Sequence, residues 1–389
     1  MNTKYQIIIL GSNNVFIGDI LKTFFHHIEE LNINKESIIV IDRNNFHEYR
    51  ANAPAVCLYF GEKGNWHNDI DITTQLKQEA NIILPIVNNL EDFNDSIPDL
   101  LRGINGTALS SENDIQSLVN SILEGFGLLR ISRKLFISYR RNESSEVAIQ
   151  LYEQLEKHGF DVFLDTHSIR PGEPFQEELW HRMADTDVIV LLNTPGFLDR
   201  KWTKEEVAQA NAMSIGILQV VWPGHKLENI AKLGIPFQLS DSSFGNSHFR
   251  SADKYLSDKT IEDLVSSVES LRARCLASRQ DNIITNFIFS AQRVNKEAEL
   301  QPERYITIKG DNEKEFIFIP TVGVPEAFIY NRSDELVCKL QSKDVKGFLI
   351  YDHLNIREKW LAHLSWLDNH LPIKSIKILE AEKWLQKNV

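Results

Sequence analysis

Cysteine is scarce in this chain of 389 residues: Cys57, Cys275 and Cys338 are its three, far apart and without a CxxC spacing. So odd and sparse a set excludes a disulfide framework and a cysteine zinc site, and it fits a reducing compartment. The 12 histidines form neither HExxH nor another metal pattern, so no metal is expected. No apolar run approaches the ~20 residues of a membrane span. The first residues, Met1-Asn-Thr-Lys-Tyr5, run straight into a strand and lack the layout of a signal peptide. A soluble cytoplasmic protein without membrane contact is the expectation. Positive charge is also in deficit, with 42 Lys and Arg against 54 Asp and Glu, a net charge of −12. Duplex binding depends on cations that neutralise phosphates, so no nucleic-acid partner is expected. The acidity is spread along the chain and reports solubility. Internal repeats and low-complexity tracts are missing too.

What is present is globular: 42% hydrophobic and 10% aromatic residues. The length implies two to three domains. In the first segment, residues 1–130, the runs 6–10, 37–42, 55–60 and 81–87 read as strands, with helices over 17–31 and 114–129. Continuous apolar strands separated by helices imply a parallel sheet covered on both faces, hence a small doubly wound α/β domain. The junction Arg130-Ile-Ser-Arg133 has no flexible Gly/Ser linker, which implies packing of the first two domains against each other. The middle segment, 134–278, repeats the rhythm: strands at 134–139, 160–164, 187–192 and 216–222, and helices at 143–158, near 176–183 and at 259–276. Its stretch 235–254 reads as polar and irregular. The last segment, 282–389, alternates in 305–309 and 315–319 like half-exposed strands. With a buried-strand run at 347–351 and a Trp-rich helix over 356–371, it reads as a small α+β domain, with Trp360 and Trp366 expected in the core.

Three motifs of the middle segment carry the chemistry. Phe136-Ile-Ser-Tyr-Arg-Arg141 closes a strand with a cationic pair. Phe160-Asp-Val-Phe-Leu-Asp165 is a second strand, followed by a loop containing Ile169-Arg-Pro-Gly172. Trp202 and Glu206 are four residues apart, on one helix face, while the adjacent Glu205 points about 100° away. In this order the motifs resemble the TIR (Toll/interleukin-1 receptor) domain family, in particular its members that cleave NAD. The resemblance covers about a third of the chain, residues 134 to 275. It implies a flavodoxin-like parallel sheet with the motifs at the carboxyl ends of the strands, where open sheets of this type bind ligands.

The resemblance further implies cleavage of the nicotinamide–ribose bond, NAD being the substrate with no cofactor. Nicotinamide leaves as a neutral amine, and the charge that develops is an oxocarbenium ion on the ribose. Glu206 is the catalytic candidate, a carboxylate placed to stabilise that cation. Ser138, Tyr139, Arg140, Arg141, Asp165, Ile169, Phe175 and Trp202 are the substrate-binding candidates. A guanidinium suits phosphate oxygens, and Trp202 would wall the pocket. Self-association through TIR domains is implied as the route to activity, in an assembly-activated immune effector whose flanking domains sense a protein or nucleotide trigger.

Each residue also has a plainer reading. Thr203-Lys-Glu-Glu206 fits a helix capping box, Arg140 and Arg141 can pair with local carboxylates, and Asp165 can cap its loop. Asp199-Arg-Lys201 departs from the family, where a small residue is common ahead of the tryptophan. Beside the enzyme stands a non-catalytic scaffold acting through TIR–TIR contacts, and beside both a nucleotide-recognition module in the first domain. There, Gly11-Ser-Asn-Asn14 follows a strand and Asp42 ends another, but neither GxGxxG nor GxxxxGK[ST] is present. No acidic pair follows the first strand, which argues against a phospho-receiver.

Overall fold

The computed structural model describes residues 5–31, 33–51, 53–64, 68–164, 175–197, 215–225, 234–245, 255–301, 303–310, 314–339 and 345–389. Two compact units are present, Met1–Ile131 and Ser132–Val389.

The first unit has strands β1 (Tyr5–Gly11), β2 (Ile38–Ile41), β3 (Ala55–Phe60), β4 (Ile82–Val87) and β5 (Thr107–Ala108). They form one sheet in the order β2-β1-β3-β4-β5, with every neighbour parallel. Helices α1 (Ile17–Glu30) and α2 (Ile70–Gln78) connect strands of this sheet, and α3 (Glu112–Gly125) follows its last strand. All six residues of β3 are buried, as a central parallel strand requires. This is the flavodoxin-like strand order.

The second unit opens with the same order. Strands β6 (Lys134–Ser138), β7 (Asp161–Leu164), β8 (Val188–Asn193), β9 (Gly216–Val221) and β10 (Ile235–Gln238) lie as β10-β9-β8-β6-β7, all parallel. The flavodoxin-like expectation for the middle segment holds. The stretch read as irregular contains an edge strand instead: β10 is largely exposed, so it carries no apolar alternation to reveal it. One face of the sheet packs Leu135, Ile137, Val190 and Val220 against helices α4 (Arg141–Lys157) and α6 (Asp258–Arg293). The other packs Phe136, Phe163, Leu191 and Ile217 against Leu179 and Met183 of α5 (Phe175–Ala184).

The helix expected to end near 276 runs on to Arg293, 36 residues in all. Its continuation packs Ile283, Ile284 and Phe287 under a third sheet. That sheet has β11 (Ala298–Leu300), β12 (Ile306–Lys309), β13 (Glu315–Thr321), β14 (Val345–Tyr351) and β15 (Lys374–Lys377) in sequential order. Its first pairs are antiparallel and its last two parallel. Helices α7 (Ala327–Lys339), α8 (Glu358–His370) and α9 (Ala381–Asn388) complete it.

Polar contacts tie the amino ends of the middle-sheet strands to α6 and to the third sheet. Asp187, at the foot of β8, accepts from Arg272 Nε at 2.8 Å, and both side chains are fully buried. Arg133 pairs with Glu269 at 2.6 Å. Arg279 donates to the carbonyls of Thr186 and Ala184 at 2.7 and 2.8 Å. Lys134 pairs with Asp185 and Glu326, and Asp185 accepts from the Val324 N–H at 2.9 Å. On α5, Glu178 is held by Arg357 and by Arg182. Burial raises the Glu178 carboxyl's pKa, but the hydrogen bonds from Arg357 and Arg182 outweigh it and the net shift is downward. His181 is buried and stacks on Trp360, ring centroids 5.2 Å apart, and its burial lowers its pKa. Trp360 and Trp366 are not core residues: they are 39% and 55% exposed, and α8 buries Leu364 and Leu367 in their place.

Removing one member of a buried ion pair leaves the other charged and unpaired in an apolar surround. Arg272→Ala is therefore expected to cost about 3–5 kcal/mol of unfolding free energy in urea titration. A loss under about 1 kcal/mol, the range of exposed pairs, would show that Asp187 finds solvent or another cation.

Candidate functional site at the carboxyl ends of the middle sheet

Strand β6 ends at Ser138, which is 2% exposed, and the chain turns there into α4. Tyr139 points into the core with Ile137, Val147 and Leu151, so its ring is part of the packing under α4. Arg140 is the extended residue before α4, and Arg141 is the exposed first residue of that helix. Ser144 breaks the helical geometry, with φ −148° and ψ 23°, so the first turn after Arg140 is set off from the rest of α4.

Arg140 is not open to solvent as a bare cation. Its Nη1 donates to Glu143 Oε1 at 2.6 Å, and the other Glu143 oxygen accepts from the Gly196 N–H at 3.2 Å. A carboxylate thus bridges a guanidinium and a backbone N–H, the donor pair that a phosphate oxygen would use. Gly196 is what permits this approach: a Cβ there would stand 1.4 Å from Arg140 Nη1 and 2.5 Å from Glu143 Oε1.

The strand ends also hold polar atoms without partners among the described residues. They are both side-chain amide atoms of Asn193, Thr194 Oγ1, Trp222 Nε1 and Arg140 Nε. Asn193, Thr194 and Trp222 are 2%, 1% and 3% exposed. Leaving such a group buried and unsatisfied costs about 1–3 kcal/mol, so each of these atoms calls for a partner of its own. Side chains alternate along a strand, and Trp222 belongs to the cluster under α4 and α6, with Phe244 as ring neighbour at 5.9 Å. Asn193 shares the opposite face with Ile189 and Leu191.

Of the expected site residues, Ser138 ends β6, Arg140 precedes α4 and Arg141 begins it, as their adjacency in sequence requires. Phe175 is the first residue of α5, with its side chain outside the described ones. Asp165, Ile169, Trp202 and Glu206 also lie outside the described residues. Glu143, Asn193, Thr194 and Gly196 were not foreseen. A signal for the last three was available: the apolar run Val188–Leu192 closes on Asn-Thr-Pro-Gly, a polar turn at a carboxyl strand end. Among the described residues no group of three or more His, Cys, Asp or Glu side chains could hold a metal, and no helix is long and apolar enough to cross a membrane.

The strand ends of the first unit carry a comparable bridge. The Gly11 N–H donates to Asp69 at 2.9 Å, and a Cβ on Gly11, whose φ is +86°, would stand 2.2 Å from the Phe60 carbonyl oxygen. Arg43 pairs with Asp69 and Asp71, and Asp42 accepts from the Asn44 N–H at 2.7 Å. There too a single carboxylate, Asp69, bridges a backbone N–H and a guanidinium.

Residues 135–238 match the model of the TIR domain family. A 2' cyclic ADP-D-ribose synthase of Bacteroides thetaiotaomicron is 23% identical over 137 residues, which is 35% of this chain and 45% of that protein. The match thus spans less than half the length of that relative. Among solved structures, a metazoan TIR-STING receptor from C. gigas shares 13% identity at a TM-score of 0.25, covering 66% of this chain and 96% of the other. A putative phosphosugar isomerase from Silicibacter pomeroyi shares 10% at a TM-score of 0.17, covering 72% and 87%.

The bridge at Glu143 generates a measurable expectation. Arg140 and Glu143 are each partly exposed, so Glu143→Gln should move the unfolding free energy by no more than about 1 kcal/mol. With its resident carboxylate gone, Arg140 should bind inorganic pyrophosphate severalfold more tightly in isothermal titration. Unchanged affinity would place Arg140 off the path of anionic ligands.

Proposed function

Because residues 135–238 form a TIR domain, we propose that this protein is an NAD glycohydrolase that breaks the nicotinamide–ribose bond. The observation that carries this reading is the Arg140–Glu143–Gly196 bridge, an anion-type site already formed at the carboxyl end of a central strand. Arg140 and Arg141 take the pyrophosphate of the dinucleotide, and Ser138 lines the floor beneath them. Trp202 walls the ribose, and Asp165, Ile169 and Phe175 border the pocket. Glu206 stabilises the oxocarbenium ion as nicotinamide departs with the bonding electron pair. Water then adds to the anomeric carbon and releases a proton, giving ADP-ribose. Attack by a hydroxyl of the same molecule would give a cyclic product, the outcome named for the Bacteroides thetaiotaomicron relative.

The substrate must displace Glu143 from Arg140, so the described state is a resting one. This supports activation by assembly through TIR–TIR contacts, as in an immune effector restrained until its flanking segments receive a trigger. Residues 1–130 would sense or interact. Residues 282–389, joined to the middle sheet by α6 and by the contacts of Arg357 and Glu326, would transmit or restrain.

Purified protein incubated with NAD at rising concentration or under crowding should release nicotinamide. Glu206→Ala should lower that rate about a hundredfold or more, the usual effect of removing one group that stabilises transition-state charge. No release in any assembled state would reject the enzyme in favour of a TIR scaffold. Release untouched by the substitution would remove Glu206 from the mechanism.

A further inference from the structure

We propose that Asn193, supported by Thr194, reads the carboxamide of the nicotinamide group, an assignment that rests on the NAD-cleaving reading above. Strand alternation places Phe136 and Ser138 of β6, Leu191 and Asn193 of β8, and Ile217 and Gln219 of β9 on one face of the sheet. The register sets Ser138 beside Leu191 and Leu191 beside Gln219. That face is apolar under α5 and turns polar towards its carboxyl end, where Ser138, Asn193 and Gln219 are all buried.

Asn193 is the telling member of this polar layer. Its amide nitrogen and its amide oxygen are both buried, and neither has a partner among the described residues; the neighbouring Thr194 hydroxyl is in the same position. An amide left open at both ends needs a ligand group that accepts and donates side by side. A carboxamide does so, closing two N–H···O bonds in a ring. The pairing survives either orientation of the Asn193 amide, so it does not depend on which atom is taken as nitrogen. A carboxylate offers acceptors alone and leaves the Asn193 oxygen unsatisfied, and a phosphate does the same. Thr194 can donate to the second lone pair of the ligand's carbonyl oxygen.

The position agrees with the chemistry. Asn193 and Thr194 begin the turn whose Gly196 N–H joins Glu143 and Arg140 in the anion-type bridge. One short turn thus presents a carboxamide reader and a phosphate-type donor, the two functions a nicotinamide dinucleotide carries at opposite ends of its ribose. At 2% exposure the Asn193 amide is out of reach of bulk solvent, so recognition requires that it become accessible.

The test compares kcat/KM for NAD with that for nicotinic acid adenine dinucleotide, in the full chain and in Asn193→Leu and Thr194→Val. Ligand-observed NMR with free nicotinamide and nicotinate runs in parallel. The wild type should favour NAD by about tenfold or more, since a site built to pair with an N–H rejects the analogue lacking it. Asn193→Leu should bring that ratio towards one while leaving the melting temperature unchanged or raised, because it removes an unsatisfied polar group. A merely structural asparagine would lower it. Thr194→Val should narrow the ratio partway and serves if Asn193→Leu does not fold. An active wild type whose ratio both variants leave unchanged overturns the proposal and assigns the amide to bound water. No turnover, with nicotinamide binding that is tighter than nicotinate and lost in Asn193→Leu, sinks the enzymatic reading and keeps the subsite. Neither turnover nor nicotinamide binding overturns both.

Discussion

The fully buried pair of Asp187 and Arg272 is the constraint around which the second unit is organised. Two charges withdrawn from water cost more than their attraction returns unless further hydrogen bonds complete them. Here the Lys134 N–H adds a contact to Asp187 at 3.3 Å, and Arg133 and Glu269 form a second pair between the segment before β6 and α6. The outcome is positional. Strands β6 and β8 are fixed at their amino ends to one helix, and that helix continues as the support of the third sheet.

Rigidity at one end of the sheet gives meaning to the unfinished chemistry at the other. The amino ends are closed by Asp185, Asp187, Lys134 and Arg279, each with named partners. The carboxyl ends pair Arg140 with the Glu143 carboxylate and leave the side-chain polar atoms of Asn193 and Thr194 without partners among the described residues. An open α/β sheet binds ligands at its carboxyl end, and a frame anchored at the opposite end can hold such groups in place at a cost to stability. The first unit has the same strand order and a similar bridge, Asp69 accepting from the Gly11 N–H and pairing with Arg43. The contrast lies in the buried side-chain atoms without partners: among the described residues, none of them is in that unit.

Much of this architecture was legible in the sequence. Buried parallel strands are continuous apolar runs, so β1, β3, β6 and β8 stand out, and the motif Phe136–Arg141 located a strand end that the structure confirms. The length of α6 was not legible. Its apolar stripe is interrupted at Arg279 and Gln280, which reads as a helix end until tertiary partners appear: the carbonyls of Thr186 and Ala184 for one, Arg304 for the other. Trp360 was misjudged because a tryptophan in a helix suggests core, whereas this one covers His181 from the surface. At the site, residue types pointed to Arg140 and Arg141, but Glu143 read as an ordinary helix-start acid. Its bridging role depends on Gly196, 53 residues away in sequence.

Helix α6 joins the middle and third sheets into one mechanical unit. Native-state hydrogen exchange resolved along this helix tests it directly, because segments that unfold together exchange with a common free energy. Amides from Leu264 through Ala291 should exchange as one slow class, with no break at residues 277–283. A fast-exchanging break there, with the two halves protected to different degrees, would mean that the sheets open independently and that the helix only tethers them.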